Sequence, residues 1–258
     1  DLMAVVKADA YGHGLVPVAK AALDGGATWL GVALLEEAIA LRAAGISAPI
    51  LAWLVPPGSD FQSAVDKDID LAVSSIKALD EIRLLKGSKR PRIHLEVDTG
   101  MTRGGFLSEW SEIDRDHLQG VEIVGIFSHF ARADEPGQAQ NLEQINRFKK
   151  MVANLDSFGF TNLIRHLSNS AATLVDHSSA FDMVRAGIAM YGLTPDLNHL
   201  GTSQSLGLKP AMTLRAKLHL VKAVPAGSPV GYGATEKTKS NTTLGVVAMG
   251  YADGIPRI

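Results

Sequence analysis

Several residues able to do chemistry stand just after short apolar runs. The first group is Val5-Val6-Lys7-Ala8-Asp9-Ala10-Tyr11-Gly12-His13-Gly14, in which a lysine closes a run and a tyrosine follows four residues later. A lysine flanked by valine and alanine is partly desolvated, which favours the neutral amine needed for imine formation. On spacing alone the better reading is plainer, a lysine whose stem lies along a strand end while its ammonium reaches water. Arg103 and Arg185 sit near the ends of later runs, where a fixed guanidinium can hydrogen-bond an anion or serve as an internal ion-pair partner. His129, in Phe127-Ser128-His129-Phe130, reads by itself as a satisfied structural histidine. The adjacent carboxylates Asp134 and Glu135 suggest paired acid–base work only weakly, because neighbouring charges in a loop are usually solvated. Ser168-Asn169-Ser170-Ala171 precedes a predicted helix, where free N–H groups favour a phosphate; an ordinary N-cap is compatible with that role. Gly187 permits close backbone approach two residues after Arg185. Tyr232 and Tyr251, each beside glycine, read in isolation as turn residues.

The elements that must position these groups alternate between short strand-like runs and longer helical stretches, the pattern of parallel βα units. Strands are predicted at Met3–Lys7, Trp29–Ala33, Ile50–Leu54, Asp70–Val73, Arg92–Val97, Ile123–Phe127, Asn162–His166 and Met183–Arg185. Eight such runs predict a (β/α)8 barrel, whose C-terminal face is where barrel enzymes assemble their sites. Helices are predicted at Leu34–Ala44, rich in Ala, Leu and Glu and stopped by Gly45, and at Asn141–Leu155, with Leu142, Ile145, Phe148, Val152 and Leu155 on one side at helical spacing. Beyond Gly207 the periodicity changes to two: Met212–Lys222 and Thr242–Met249 alternate as half-exposed antiparallel strands do. The expected division is therefore a barrel over 1–206 and the first strands of a C-terminal β domain over 207–258.

Taken together, these segments resemble alanine racemases, fold-type III enzymes that use pyridoxal 5′-phosphate (PLP). VVKADAYGHG is very similar to the family's lysine motif, VDTGMTRGG to its arginine segment, and HFARADE to a third segment. HLSNSAA and MVRAGIAMYG resemble its phosphate-binding ends, and VGYGAT and GYADG its tyrosine segments. The resemblance covers nearly the whole chain, with the motifs in family order. It implies that Lys7 holds PLP as a Schiff base and acts as one catalytic base, and that Tyr11 hydrogen-bonds the phosphate. It implies Arg103 near the cofactor's phenolic oxygen and the substrate carboxylate, and Ser170, Gly187 and Ile188 at the phosphate, with Asn169 and His166 close by. Arg185 would face the pyridine nitrogen, weakening the ring as an electron sink, and His129 would link it to the second base, Tyr232. Racemisation needs bases on both faces of the α-carbon. Lys7 would serve the D-alanine face and Tyr232 the L-alanine face, through a chain Tyr232–His129–Arg185, because an ordinary tyrosine with a reference pKa of ~10 is a poor base at neutral pH. Tyr251 would stand at the active-site entrance, and both tyrosines would come from the other subunit of a homodimer. One departure is Glu96, where many members carry a lysine, carbamylated in some.

Composition agrees with a soluble enzyme: 258 residues, 46% hydrophobic, 20% charged, with a formal net charge of −2 that gives no reason to expect nucleic acid or an anionic membrane as partner. No cysteine is present, so disulfides, thiolate metal sites and thiol nucleophiles are excluded together, and no metal is expected. A cytoplasmic location is expected. The absence of an initial methionine, and an end at Ile258 shortly after a glycine-rich turn, lead us to expect trimming at both termini, with the helix before the first strand and most of the β domain missing. The expected activity is the interconversion of L- and D-alanine, supplying D-alanine for peptidoglycan. The alternatives are a non-catalytic PLP-binding barrel, which lacks a β domain; a decarboxylase of the same fold type, which Arg185 disfavours; a racemase of another small amino acid such as serine; and, if Lys7 forms no imine, a barrel that binds another phosphorylated ligand.

Overall fold

The computed structural model describes residues 1–256, so the last two positions of the expected β segment lie outside the described residues. The chain divides into two compact units, Asp1–Ala211 and Met212–Ile258. In the first, eight parallel strands follow one another around a barrel: β1 (Leu2–Val5), β2 (Trp29–Val32), β3 (Ile50–Ala52), β4 (Asp70–Val73), β5 (Arg92–Glu96), β6 (Glu122–Phe127), β7 (Ile164–His166) and β8 (Val184–Ala186). β8 returns beside β1. No regular ladder joins β7 to β8, but Arg165 O accepts from Asp182 N at 3.0 Å and from Met183 N at 3.3 Å, while Ser168 O accepts from Arg185 N at 3.0 Å. Those bonds draw the remaining seam together, and the expected barrel is present.

Side chains alternate across each strand, so the barrel has two cores. Ala4, Leu30, Ile50, Leu71, Ile93 and Ile126 point outward and pack with the helices. Met3, Trp29, Leu51, Ala72, Phe127 and Met183 fill the interior. The helices span Leu15–Asp24, Leu35–Ala43, Phe61–Asp66, Ile76–Arg83, Ala139–Ser157 and Ser170–Val175. Sequence chemistry fixes several starts: Asp60 accepts from Ser63 N at 3.1 Å and Ser75 from Ala78 N at 3.3 Å, each satisfying a free amide of the first turn. The longest helix buries Ile145, Phe148, Val152 and Leu155 of the predicted apolar side, together with Gln144, whereas Leu142, expected on that side, is exposed. Between β5 and β6 stands only a short 3₁₀ turn, Ser108–Glu112.

The predicted end of the first strand at Lys7 is corrected. β1 stops at Val5, and Lys7 does not continue the strand but opens a left-handed turn, in which Ala8, Asp9, Ala10, Tyr11 and Gly12 all have positive φ. In the second unit, β9 (Leu218–Val224) pairs antiparallel with β12 (Thr242–Val247), and β10 (Pro229–Val230) with β11 (Glu236–Lys237). The first of these strands begins at Leu218 rather than Met212.

Candidate active site

A cavity of about 310 Å³ lies at the C-terminal ends of the barrel strands, within the size range of small-ligand sites. Lys7, Tyr11, Arg103, His129, Asn169, Ser170, Arg185, Gly187 and Ile188 all line it, although they come from five separate stretches of sequence. His166 does not line it; that ring is wholly buried and touches Arg185 from within the barrel. Tyr232 and Tyr251 belong to the second unit, where they are 84% and 68% exposed. Trp53, Glu96 and Asp134 also line the cavity; the sequence carries no signal for Trp53, marks Glu96 only as a departure from the family and supports Asp134 only weakly as an acid–base group. Its charged lining, Lys7, Arg103 and Arg185 against Glu96 and Asp134, suits an anion.

The left-handed turn presents Lys7 and Tyr11 to one space. For residues with a Cβ, this conformation costs on the order of 1–2 kcal/mol each, so the surroundings must hold it. Glu37 does much of that: its Oε1 accepts from Ala8 N at 2.6 Å, and its Oε2 from Ala33 N at 2.9 Å and Leu34 N at 3.0 Å. Asp9 Oδ1 accepts from Leu15 N at 2.7 Å, tying the turn to the following helix. Tyr191 donates its buried hydroxyl to Val5 O at 2.9 Å and stacks on Tyr11 with ring centroids 4.8 Å apart.

Arg185 lies on β8 with its guanidinium buried inside the barrel. Nη1 donates to His166 O at 2.8 Å and to His166 Nδ1 at 3.2 Å. Nη2 donates to Ser128 O at 2.7 Å, Leu167 O at 3.2 Å and His129 Nδ1 at 3.3 Å. Only Nε–H has no acceptor among the described residues, and no carboxylate touches the group. Burial lowers the Arg185 pKa to about 10, which leaves it charged at neutral pH. Burial, helped by the positive charges of Arg185, Arg103 and Lys7, holds His129 down to about 3, so that ring is neutral.

On the opposite wall, Ser170 Oγ accepts from Gly187 N at 2.8 Å and Ala189 N at 3.3 Å, leaving its hydroxyl proton free to donate. Asn169 caps the helix through Ala172 N at 3.1 Å. A Cβ on Gly187 would lie 2.7 Å from Tyr11 Oη, so only glycine lets that hydroxyl settle against the backbone here. Serine and tyrosine hydroxyls beside a glycine backbone form a cradle for a phosphate-sized anion.

Arg103 extends from a loop after β5 that is folded around Asp98, whose Oδ1 accepts from Gly100 N at 2.8 Å and from Met101 N and Thr102 N at 3.1 Å. Gln144 joins this loop to the His129 segment: its Nε2 donates to Thr99 Oγ1 at 3.1 Å and His129 O at 3.0 Å, and its Oε1 accepts from Ala131 N at 2.9 Å. Burial raises the Glu96 carboxyl, while the charges of Arg103 and Arg185 pull it back down. Glu96 acts on Arg103 through its field; no ion pair joins the two among the described residues.

The description "alanine racemase, N-terminal domain" matches residues 1–195, and "alanine racemase, C-terminal domain" matches residues 211–258. Alanine racemase of Salinispora arenicola is 48% identical over 265 residues, covering all of this chain and 70% of that protein. Among solved structures, alanine racemase from D-cycloserine-producing Streptomyces lavendulae superposes with a TM-score of 0.92 at 48% identity, over 99% of this chain and 69% of that one. Alanine racemase of Bacillus anthracis with bound L-Ala-P gives 0.80 at 39% identity, over 98% and 67%.

Proposed function

The chain belongs to the alanine racemase family, and from that premise we propose that it interconverts L- and D-alanine with PLP held at Lys7, supplying D-alanine for peptidoglycan in the cytoplasm. The observation that carries the reading is the meeting of Lys7, Tyr11, Ser170 and Arg185 in one cavity, with Gly187 shaped around the Tyr11 hydroxyl. The lining fits the cofactor. The cation excess and the Tyr11, Ser170, Gly187 and Ile188 cradle suit its phosphate, and the Arg185 Nε–H without an acceptor suits an unprotonated ring nitrogen. When bound, PLP supplies an aldehyde for the lysine and substrate amines and a ring that takes up the electron pair left by a departing α-proton.

The protein's own groups account for the rest. Arg185 stays charged and holds its proton, so it donates a hydrogen bond without protonating its acceptor, which limits how far negative charge spreads into the ring. Arg103, beside the field of Glu96, orients the substrate carboxylate. Lys7 Nζ takes or returns the α-proton on one face. On the other face the work falls to Tyr232 Oη of a second copy in a homodimer, with Tyr251 near the entrance. His129 accepts from Arg185 at Nδ1, so its single proton sits on Nε2, where it can donate to a phenol oxygen and ease proton loss from it.

The test is α-proton exchange of L-alanine in deuterated water with chiral analysis of the product, comparing the full chain with its Tyr232→Phe variant. Deuterium entry with D-alanine formation in the parent, and loss of both for L-alanine in the variant, are expected. Unaltered exchange in the variant would remove Tyr232 from the mechanism.

A further inference from the structure

Behind Arg185 a line of buried polar groups runs down the barrel interior, away from the cavity. His166 Nε2 lies 2.9 Å from His94 Nδ1, with both rings wholly buried. His94 Nε2 lies 3.4 Å from Asp70 Oδ2, too oblique for a well-formed hydrogen bond but close enough for strong attraction. Asp70, itself 2% exposed, is gripped by Arg92, Nε to Oδ1 at 2.8 Å and Nη2 to Oδ2 at 3.1 Å, and Arg92 also reaches Glu122 at 2.7 Å. Asp70, Arg92 and Glu122 begin β4, β5 and β6, so the line spans the barrel from its N-terminal end to the cavity.

The direction of this line follows from its ends. A guanidinium only donates, so His166 Nδ1 must accept from Arg185 and carry no proton. A neutral His166 then holds its proton on Nε2 and donates it to His94 Nδ1. His94 in turn holds its proton on Nε2, facing Asp70, which as a carboxylate only accepts. Reversing any one ring would set two donors or two acceptors against each other at rings shut off from solvent, at a cost of about 1–3 kcal/mol for each buried group left unpaired. Burial and the charge of Arg185 keep His166 neutral, and burial does the same for His94 against the pull of Asp70. Space has been made for the line: a Cβ on Gly125 would lie 2.6 Å from His94 Nδ1.

We propose that Asp70, His94 and His166 are positioning residues of the active site, a one-directional polar line, hydrogen-bonded from Arg185 to His94 and ended by the attraction between His94 and Asp70, that fixes the guanidinium of Arg185 and hence the Nε–H it offers the cavity. It does not conduct protons to the far end of the barrel, because Arg185 keeps its own. The catalytic consequence rests on the function proposed for Arg185 above, whereas the tautomers do not.

Nitrogen-15 NMR of the full chain labelled at histidine, assigned by single-histidine variants, reads the line directly. His94, His129 and His166 are expected to be neutral with the proton on Nε2. In His94→Leu, the His166 resonances should move and kcat for alanine should fall roughly tenfold with KM within about twofold, as when a partner that orients a reactive group is removed. His94→Gln, whose amide can accept from His166 and donate to Asp70, should restore both. A parent protein with His166 protonated on Nδ1 or charged would overturn the proposal, as would His166 resonances that ignore His94→Leu, or a glutamine variant no better than leucine. Should His94→Leu not fold, the parent tautomers and the glutamine variant still decide. A chain that neither binds PLP nor racemises alanine would refute the function while leaving the tautomer measurement intact.

Discussion

Glu37→Gln tests whether the left-handed turn is held in place by its neighbours. Glu37 uses both oxygens, Oε1 for Ala8 N and Oε2 for Ala33 N and Leu34 N, at 2.6, 2.9 and 3.0 Å. Glutamine has one acceptor oxygen, so its NH₂ must face either the Ala8 amide or the other two. Hydrogen bonds to a charged group contribute roughly 1.5–3 kcal/mol each, and partial exposure of Ala8 and Leu34 lets water replace part of that. We therefore expect a loss of about 2 kcal/mol, which at ~2–4 °C per kcal/mol for a chain of this size is a drop of roughly 4–8 °C in Tm. The same loss acts on the segment carrying Lys7 and Tyr11, so PLP affinity should fall on the order of tenfold or more, 1.4 kcal/mol being tenfold. Thermal melts by circular dichroism without cofactor, followed by PLP titration monitored by absorbance, measure both. Wild-type Tm with wild-type PLP affinity would refute the reasoning. Lowered Tm with unchanged affinity would show that Glu37 braces the fold without setting the turn.

Gly187→Ala places a Cβ 2.7 Å from Tyr11 Oη on a backbone with φ −109° and ψ −103°, outside the regions alanine favours, so the strain falls on both the phenol and the backbone. PLP affinity should drop at least about tenfold for a stability loss of roughly 1–3 kcal/mol, typical of overpacking; unchanged affinity in the titration would remove Tyr11 from the phosphate cradle. Acid should destabilise the chain early. His129 is held at about 3 and His94 and His166 are also lowered from an ordinary 6.5, so below pH 6.5 the unfolded state binds more protons than the folded one. Stability is then fully present above that pH and declines as pH falls from about 6.5 towards 3, at ~1.4 kcal/mol per pH unit for each histidine; the raised Glu96 carboxyl opposes part of this decline. Urea midpoints at pH 7.5 and 5.5 should differ accordingly, and equal midpoints would contradict the buried neutral rings.

The strands were legible because parallel barrel strands, covered on both sides, read as short apolar runs between helical stretches. The left-handed turn was not. Alanine, aspartate and tyrosine carry no mark of positive φ, and the glycines that signal a turn, Gly12 and Gly14, come at its end. The residues that brace the turn, Glu37 and Tyr191, stand 29 residues after Ala8 and 186 after Val5, beyond the reach of local pattern. His94 offered a faint signal: it interrupts the apolar alternation of β5 between Ile93 and Leu95, which marks it as inward-facing. Its role emerges only when β5, β7 and β8 bring His94, His166 and Arg185 together. The cavity residues were found through motifs, whereas Gln144, a polar residue among the apolar positions of its helix, is explained only by the two loops it joins.

The function proposed for the site depends on the Lys7 amine being the point of attachment for PLP. Incubation of the full chain with PLP, reduction with borohydride and peptide mapping by mass spectrometry locate that attachment directly. One pyridoxyl group on the peptide containing Lys7, absent when Lys7 is replaced by alanine, is the predicted result. An unmodified Lys7, or a label spread over surface lysines such as Lys20 and Lys149, would contradict the account.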